Sequence, residues 1–254
     1  MRRNLLKALA LSAILAVGVT AIANAATATF RVGNLILTFG GTISPSKLPK
    51  NKYAPITSNI FGKIKTSDGT HPSAMRESIV DITNVKVDTK GIPECKAAQL
   101  QARDTKAAKK VCGKAEIGSG LAHARIQFPE SNPILVTSPI TVFNGGVKGG
   151  KTKMLIHTFI TVPVPAAIVT DVTITKKGSG IHAIAKIPVI AGGSGSVLDF
   201  KFTVSKKVVS AKCPNGSIKA TTPKTVFKNE AGTAGVPAQT ILKGSVLVPC
   251  KPKG

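Results

Sequence analysis

The residues from Gly145 to Thr152 read GGVKGGKT and match the phosphate-loop pattern G-x-x-x-x-G-K-[ST]. In that motif, backbone amides and the start of a following helix surround a phosphate while the lysine neutralises its charge. Here the next residues, Met154 to Ile160, are rich in β-branched and aromatic side chains, which predicts a strand. We therefore predict a glycine-rich hairpin loop between two strands, and no cofactor.

Histidines and carboxylates could supply acid–base or nucleophilic chemistry, but they are scattered along this chain. The four histidines show no i, i+2 or i, i+4 pairing, and the 11 acidic residues form no close pair. A hydrolase would need distant residues to converge, with Asp68, His71 and His157 as candidates. Because His157 shares a strand face with Leu155 and Phe159, we expect a packed histidine there. The sequence thus predicts no catalytic residue and no metal ligand.

The chain has four cysteines, which could form disulfides or bind zinc: Cys95, Cys112, Cys213 and Cys250. No C-x-x-C motif occurs and no histidine lies near either pair, which argues against zinc. Of the three possible pairings, proximity in sequence favours Cys95–Cys112 and Cys213–Cys250. In the chain-entropy treatment these two loop closures stabilise the fold by about 3 and 4 kcal/mol.

The first 25 residues predict export from the cytoplasm. Three cations, Arg2, Arg3 and Lys7, form the basic start of a run that is apolar through residue 23, and the tripeptide ANA at 23–25 matches a small-x-small cleavage site. We expect residues 1–25 to be a cleaved signal peptide and residues 26–254 to form a single domain outside the cytoplasm, secreted or in the cell envelope. The long apolar run favours the general secretory route over twin-arginine export.

The chain is strongly basic. Removing the three leader cations from the formal charge of +24 leaves +21 on the mature chain. Most of the cations are lysines, which are hydrated point charges, whereas bidentate contacts to phosphates and bases need arginine. With no Trp and one Tyr, the chain lacks the aromatic platforms on which bases or sugars stack. This composition disfavours specific nucleic-acid binding.

The charge predicts diffuse attraction to anionic cell-wall polymers or to a membrane surface, although it could also serve solubility alone. Long stretches have no compensating acidic residue, notably 131–170 and 200–229. The lysines expected to contact polyanions are Lys47, Lys50, Lys52, Lys109, Lys110, Lys148, Lys151, Lys153, Lys176, Lys177, Lys206 and Lys207.

Alternation of apolar and polar residues predicts a chain made mostly of strands. A period of two is clearest where Leu198, Phe200, Phe202 and Val204 alternate with polar neighbours. The segment 154–162 is apolar on both faces, which predicts a strand covered on both sides. We predict an all-β, β-sandwich-like fold of about 10–13 strands, although a single sheet that closes on itself fits the same spacing.

One segment, residues 96–112, breaks the strand pattern because it is rich in Ala, Lys, Gln and Leu, which favour helices. Asp104 is placed to cap a helix over residues 105–112, with Gly113 as its C′ residue. Cys95 and Cys112 bracket this helical insertion, and a disulfide between them would hold its base together.

Five stretches of the sequence are similar to a known group of proteins. They are SPSKLPKNKYAP at 44–55, TSDGTHP at 66–72, CGKAEIGSG at 112–120, GGVKGGKT at 145–152 and IAGGSGS at 190–196. They resemble a group of uncharacterised, exported, lysine-rich β proteins of soil actinobacteria. The resemblance covers about residues 37–250. It implies a bacterial exported protein whose four cysteines form two bridges, and it implies no activity, substrate or binding residue.

Together these observations predict a non-enzymatic protein of the cell envelope or extracellular space that associates with anionic surface polymers. Two alternatives from other classes remain. One is an exported hydrolase acting on an extracellular polymer, which would show a deep pocket with perturbed titratable groups. The other is a surface-layer or adhesin-type structural protein, which would show a large apolar patch or an exposed sheet edge.

Overall fold

The computed structural model describes residues 26–205 and 207–253, which form 17 strands and one α-helix. The predicted signal peptide and Lys206 lie outside the described residues. In chain order the strands are β1 (Ala26–Val32), β2 (Leu35–Ser44), β3 (Lys47–Pro49), β4 (Ala54–Pro55), β5 (Thr57–Thr66), β6 (Ala74–Ile82), β7 (Val85–Val87), β8 (Glu116–Ile126), β9 (Ile134–Lys148), β10 (Lys151–Ile160), β11 (Ala166–Lys177), β12 (Gly180–Lys186), β13 (Gly195–Val204), β14 (Val209–Ala211), β15 (Ser217–Lys228), β16 (Gln239–Pro249) and β17 (Lys251–Lys253).

Twelve of these strands form one large antiparallel sheet. Its order is β1-β2-β5-β13-β8-β9-β10-β11-β12-β6-β15-β16. The short strands β4, β14 and β7 form a second sheet, and β17 pairs in parallel with β3. The prediction of an all-β fold with a helical insertion is confirmed, but the described residues form 17 strands instead of the predicted 10–13, and twelve of them belong to one sheet and not to the two facing sheets of a sandwich.

The two edge strands of the large sheet, β1 and β16, meet so that the sheet nearly closes on itself. Side chains from β1 and β2 share a buried cluster with side chains from β15 and β16, among them Phe30, Leu37, Phe227 and Leu242. The ring of Phe30 lies against Gly244, where an added Cβ would overlap it. Closure turns one face of every strand inward and the other outward, because successive side chains point to opposite faces.

Strand β13 shows how the inner face departs from the simple alternation predicted for it. A register shift against β8 lies between Val197 and Asp199, because a bulge adds one residue to one strand of the pair. As a result Val197, and not Leu198, joins Phe200 and Phe202 on the inner face.

The predicted helix is present as α1 (Thr105–Cys112). The carboxylate of Asp104 accepts a hydrogen bond from the backbone N–H of Ala107 at 2.7 Å and caps its first turn. The expectation for Gly113 is wrong. Its φ is −57°, and the chain continues into a short 3-10 turn (Gly113–Ala115), so the helix end is tightened and not terminated by a left-handed residue. No helix among the described residues is long and apolar enough to cross a membrane.

The insertion carrying α1 packs on the outer face of β9 and β10. Leu100 and Ala108 of the insertion form a buried cluster with Phe143 and Leu155 of the two strands. Strand β10 is therefore covered by the insertion on its outer face and by the interior of the closed sheet on its inner face, which confirms the predicted two-sided strand.

Both predicted disulfides are present. Cys95–Cys112 joins the two ends of the insertion, and Cys213–Cys250 joins the segment after β14 to the segment after β16. Around the second bridge, Leu48 and Val208 pack against inward-facing side chains at the ends of several strands. The bridges are compatible with an oxidising extracellular location.

Candidate functional site

Alternating strand direction sorts the connections of the large sheet into two sets, one at each end. The basic end comprises the connections 45–56, 83–115, 149–150, 178–179 and 205–216, the chain after 249, and the strand residues beside them. The apolar end comprises the connections 33–34, 67–73, 127–133, 161–165, 187–194 and 229–238. The two sets differ sharply in composition.

All of the lysines predicted to contact polyanions that the structure describes belong to the basic end. They come from five separate stretches of sequence, and those that the structure describes are exposed. Two of them form ion pairs: Lys109 Nζ lies 3.0 Å from Glu116 Oε1, and Lys177 Nζ lies 2.7 Å from Asp81 Oδ2. The described members are Lys47, Lys50, Lys52, Lys109, Lys110, Lys148, Lys151, Lys153, Lys176, Lys177 and Lys207, whereas Lys206 lies outside the described residues.

The single tyrosine holds several of these basic segments together. The Tyr53 hydroxyl donates a hydrogen bond to the backbone carbonyl of Ser179 at 2.5 Å, which ties the connection 45–56 to the β11–β12 hairpin. The ammonium groups of Lys86 and Lys212 lie 4.1 and 5.4 Å from the centre of its ring, within the range of cation–π attraction. Tyr53 therefore links the connection 45–56 to neighbouring basic segments, and two ammonium groups lie close to its ring.

The connections of the apolar end contain no lysine or arginine, although three carboxylates occur in them. Their exposed side chains include three valines: Val162 is 45% exposed, Val164 is 67% exposed and Val189 is 56% exposed. The connections at one end are thus rich in lysine, whereas those at the other end carry no cation and three carboxylates, with Lys65, Lys186 and Lys228 in the strands beside them.

The phosphate-loop match forms the β9–β10 hairpin. Lys148 pairs with Lys151 across the turn, and Gly149 and Gly150 take the positive φ values of 57° and 72° that such a tight turn requires. Strand β10 begins directly at Lys151, so no helix start faces the loop. The hairpin prediction is confirmed, and both lysines add charge to the basic end.

The three residues considered for a hydrolase do not converge. Asp68 accepts hydrogen bonds from the Asn34 side chain at 3.0 Å and the Thr70 backbone at 3.1 Å, and these bonds hold the pKa of Asp68 well below its usual range. His157 lies buried beneath the insertion, where its ring N–H donates to the carbonyl of Arg103 at 2.9 Å. The prediction of a packed histidine at position 157 is confirmed.

A serine–histidine contact joins His71 to Ser196, which the sequence analysis missed. Ser196 Oγ lies 3.0 Å from His71 Nε2, and the hydroxyl donates to the carbonyl of Pro72 at 2.6 Å. The imidazole N–H must therefore donate to the hydroxyl, whereas general-base activation needs the reverse direction. Burial, with a smaller effect from the positive charge of Arg125, lowers the pKa of His71. The contact anchors the segment before β6 to the start of β13.

The two other histidines pair with carboxylates. His123 Nδ1 lies 2.6 Å from Asp199 Oδ1, and His182 Nδ1 lies 2.6 Å from Asp81 Oδ1. These pairs link neighbouring strands of the large sheet. The described part of the chain contains no cluster of three His, Cys, Asp or Glu side chains that could hold a metal ion.

An apolar cavity of about 320 Å³ lies inside the closed sheet. Among its lining residues, Ile60, Val80, Ile156, Val172 and Phe200 are only half-buried although they face the interior. Side chains fill the interior of a closed sheet of about eight strands, whereas more strands leave a wider space.

Several of the polar groups in the wall of this cavity form hydrogen bonds within the protein. Ser138 Oγ donates to the backbone carbonyl of Phe159 at 2.9 Å, and the hydroxyls of Ser78 and Thr225 lie 3.3 Å apart. The only titratable lining residue among those described is His123, whose side chain is 42% exposed and pairs with Asp199. The interior therefore offers shape and apolar contact, with no charge to bind.

The chain matches no protein family, no curated protein and no solved structure. Its two contrasting ends and its interior cavity are therefore the features that bear on function.

Acidification is expected to destabilise the fold through His71 and His157. Burial lowers the pKa of both below the ordinary value of 6.5, so the unfolded chain takes up protons that the folded state resists. Their contribution to stability is complete at higher pH and is lost as the pH falls through 6.5. Urea unfolding between about pH 8 and pH 5 should show this loss, and the double variant His71→Gln/His157→Gln should flatten it. An unchanged pH slope in the double variant would contradict this assignment.

Proposed function

We propose that this is a non-enzymatic exported protein of the cell envelope or extracellular space that associates with anionic surface polymers through its basic end. One observation carries the proposal. Strand direction collects lysines from five distant stretches of sequence at one end of the sheet, while the connections at the other end contain none. A charge of one sign concentrated on one side attracts polyanions over several ångströms of solvent.

Two further features support an exported protein. The predicted signal peptide occupies residues 1–25, and the two disulfides are compatible with an oxidising compartment. Outside the cytoplasm, the abundant linear polyanions are wall polymers, and the repeated charge of their phosphate or carboxylate groups is the main feature that a protein can contact. Lysine suits such a partner because it is a point charge on a flexible stem and needs no fixed geometry.

The expected binding mode is electrostatic and tolerant of polymer identity. The lysines sit on separate loops and hairpins, so a flexible chain can contact several of them at once. Each contact releases counterions condensed on the polymer, which makes the affinity fall steeply as salt rises. With one tyrosine, whose ring already lies beside Lys86 and Lys212, the chain has no series of aromatic platforms for stacking to add selectivity.

A salt titration of binding to long-chain polyphosphate tests this proposal. For about six phosphate contacts, the logarithm of the affinity should fall with the logarithm of salt concentration with a slope near −4, using about 0.7 counterions per contact as for single-stranded polyanions. Polymers of similar charge density should bind alike, and orthophosphate should compete weakly because it lacks linked charges. Tight binding that survives molar salt, or full displacement by stoichiometric orthophosphate, would contradict the proposal and indicate a shaped anion site.

A further inference from the structure

We propose that the cavity inside the closed sheet binds the hydrocarbon part of a small lipophilic molecule. This inference goes beyond association with polyanions and rests on different residues, since the cavity lining and the lysines of the basic end do not overlap. It could fail while the surface proposal holds, and the reverse is equally possible.

The volume of the cavity suits a small molecule. Protein interiors normally leave few voids larger than a water molecule. A cavity of about 320 Å³ is roughly twice the engineered apolar cavity of about 150 Å³ that binds benzene, and it falls within the range of about 300–1,000 Å³ for small-molecule sites. The space therefore suits a molecule larger than a single aromatic ring, such as part of an acyl or isoprenoid chain.

Small inward side chains leave the centre of the closed sheet open. Small residues occupy several inward positions where larger ones would fill the space: Ala122 on β8, and Ala183 and Ala185 on β12. They line the same cavity as Phe200 and Phe202. The walls are held by strand pairing on both sides of β8 and β12, which is regular at β12 and interrupted by one bulge on each side of β8.

The chemistry of the cavity wall also favours a hydrocarbon ligand. The lining is mainly Ile, Val, Phe, Ala and Met, and its hydroxyl groups at Ser138, Ser78 and Thr225 are bonded within the protein. Among the described residues, His123 is the only titratable residue that lines the space, and it is paired with Asp199. Burying a ligand charge here would cost far more than apolar contact returns. The part of the ligand inside the sheet must therefore be uncharged hydrocarbon.

A matched pair of substitutions tests the site with a neutral fluorescent probe, N-phenyl-1-naphthylamine. Ala183→Phe adds a ring inside the cavity, whereas Ala167→Phe adds the same ring to the outer face of β11. We expect the wild-type protein and Ala167→Phe to bind the probe with equal affinity, unaffected by salt. Ala183→Phe should bind it at least tenfold more weakly. No binding by the wild-type protein, or equal binding by both variants, would overturn the proposal.

A second measurement decides the matter even if Ala183→Phe does not fold. Methyl resonances of the wild-type protein can be followed during titration with the same probe. Shifts should concentrate at the inward residues Ile60, Ile156 and Val172 and spare the outward residues Val169 and Ile184. The opposite pattern would overturn the proposal and indicate binding on the outer surface.

Displacement of the probe then distinguishes the sources of hydrocarbon. Hexadecanoate carries a charged headgroup, whereas farnesol is an uncharged isoprenoid alcohol. Displacement of the probe by either compound supports the site and indicates the class of ligand. If neither compound displaces a probe bound in the cavity, binding of acyl or isoprenoid chains is contradicted.

Discussion

Replacing Gly244 with valine is expected to destabilise the protein by about 3 kcal/mol or more, because this glycine lies at the seam where the large sheet closes. The ring of Phe30 occupies the space that any side chain at position 244 would need. The variant must expel that ring from the cluster joining β1 and β2 to β15 and β16. Loss of a buried phenylalanine from its site typically costs about 3–5 kcal/mol.

Two controls separate this seam effect from a general intolerance of β16 to substitution. Ser245→Val changes the neighbouring exposed residue and should alter the unfolding free energy by no more than about 0.5 kcal/mol. Adding Phe30→Ala to Gly244→Val should recover part of the stability lost by Gly244→Val, because the overlap disappears. Urea unfolding at constant pH measures all three. Equal stabilities for Gly244→Val and Ser245→Val would show that Phe30 does not close the sheet against Gly244.

The local structure of this protein could be predicted from its sequence where a short-range rule applies. Alternation of apolar residues predicted the strands, and the composition of 96–112 with Asp104 predicted the helix. The lack of a helix-forming sequence after Lys151 predicted the hairpin. Each of these depends on neighbours within about ten residues. The bulge in β13 was missed because one inserted residue does not interrupt the series of apolar residues that begins at Val197.

The sequence left closure of the sheet as an alternative to a sandwich and could not decide between them, because closure joins segments from opposite ends of the chain. Strand β1 ends at Val32, whereas β16 begins at Gln239, and no local pattern marks them as partners. Alternation places residues such as Ala183 and Phe200 on the inner face but does not reveal whether opposite walls touch. The cavity therefore became visible only when the strand order was known.

The basic end is an intermediate case. The individual lysines were identified from the sequence, where they are spread over some 160 residues from Lys47 to Lys207. Their convergence follows from strand direction, because each lysine-bearing connection happens to lie on the same side of the antiparallel sheet. A pattern of this kind has no counterpart in sequence spacing and depends on knowing the number and direction of the strands between the loops.

Removing lysines from the basic end is expected to weaken binding to an anionic polymer far more than removing the same number elsewhere. Lys50, Lys148, Lys151 and Lys176 are exposed there, and none of them forms an ion pair among the described residues. At about 1 kcal/mol for each lysine near an anionic surface, changing all four to alanine should lower affinity on the order of a thousandfold at low salt. The slope of the salt dependence should also fall by roughly 3.

The matched control removes four exposed lysines from the strand segments nearer the apolar end: Lys63, Lys65, Lys186 and Lys228. Both variants have the same net charge, so any difference between them reports where the charge lies and not how much remains. The role of the basic end is tested most directly by measuring polyphosphate affinity for these two variants side by side at the same salt concentration. We expect a large loss for the basic-end variant and a loss of no more than about tenfold for the control. Equal losses in the two variants would contradict this expectation, because binding would then follow net charge alone and the basic end would have no special role.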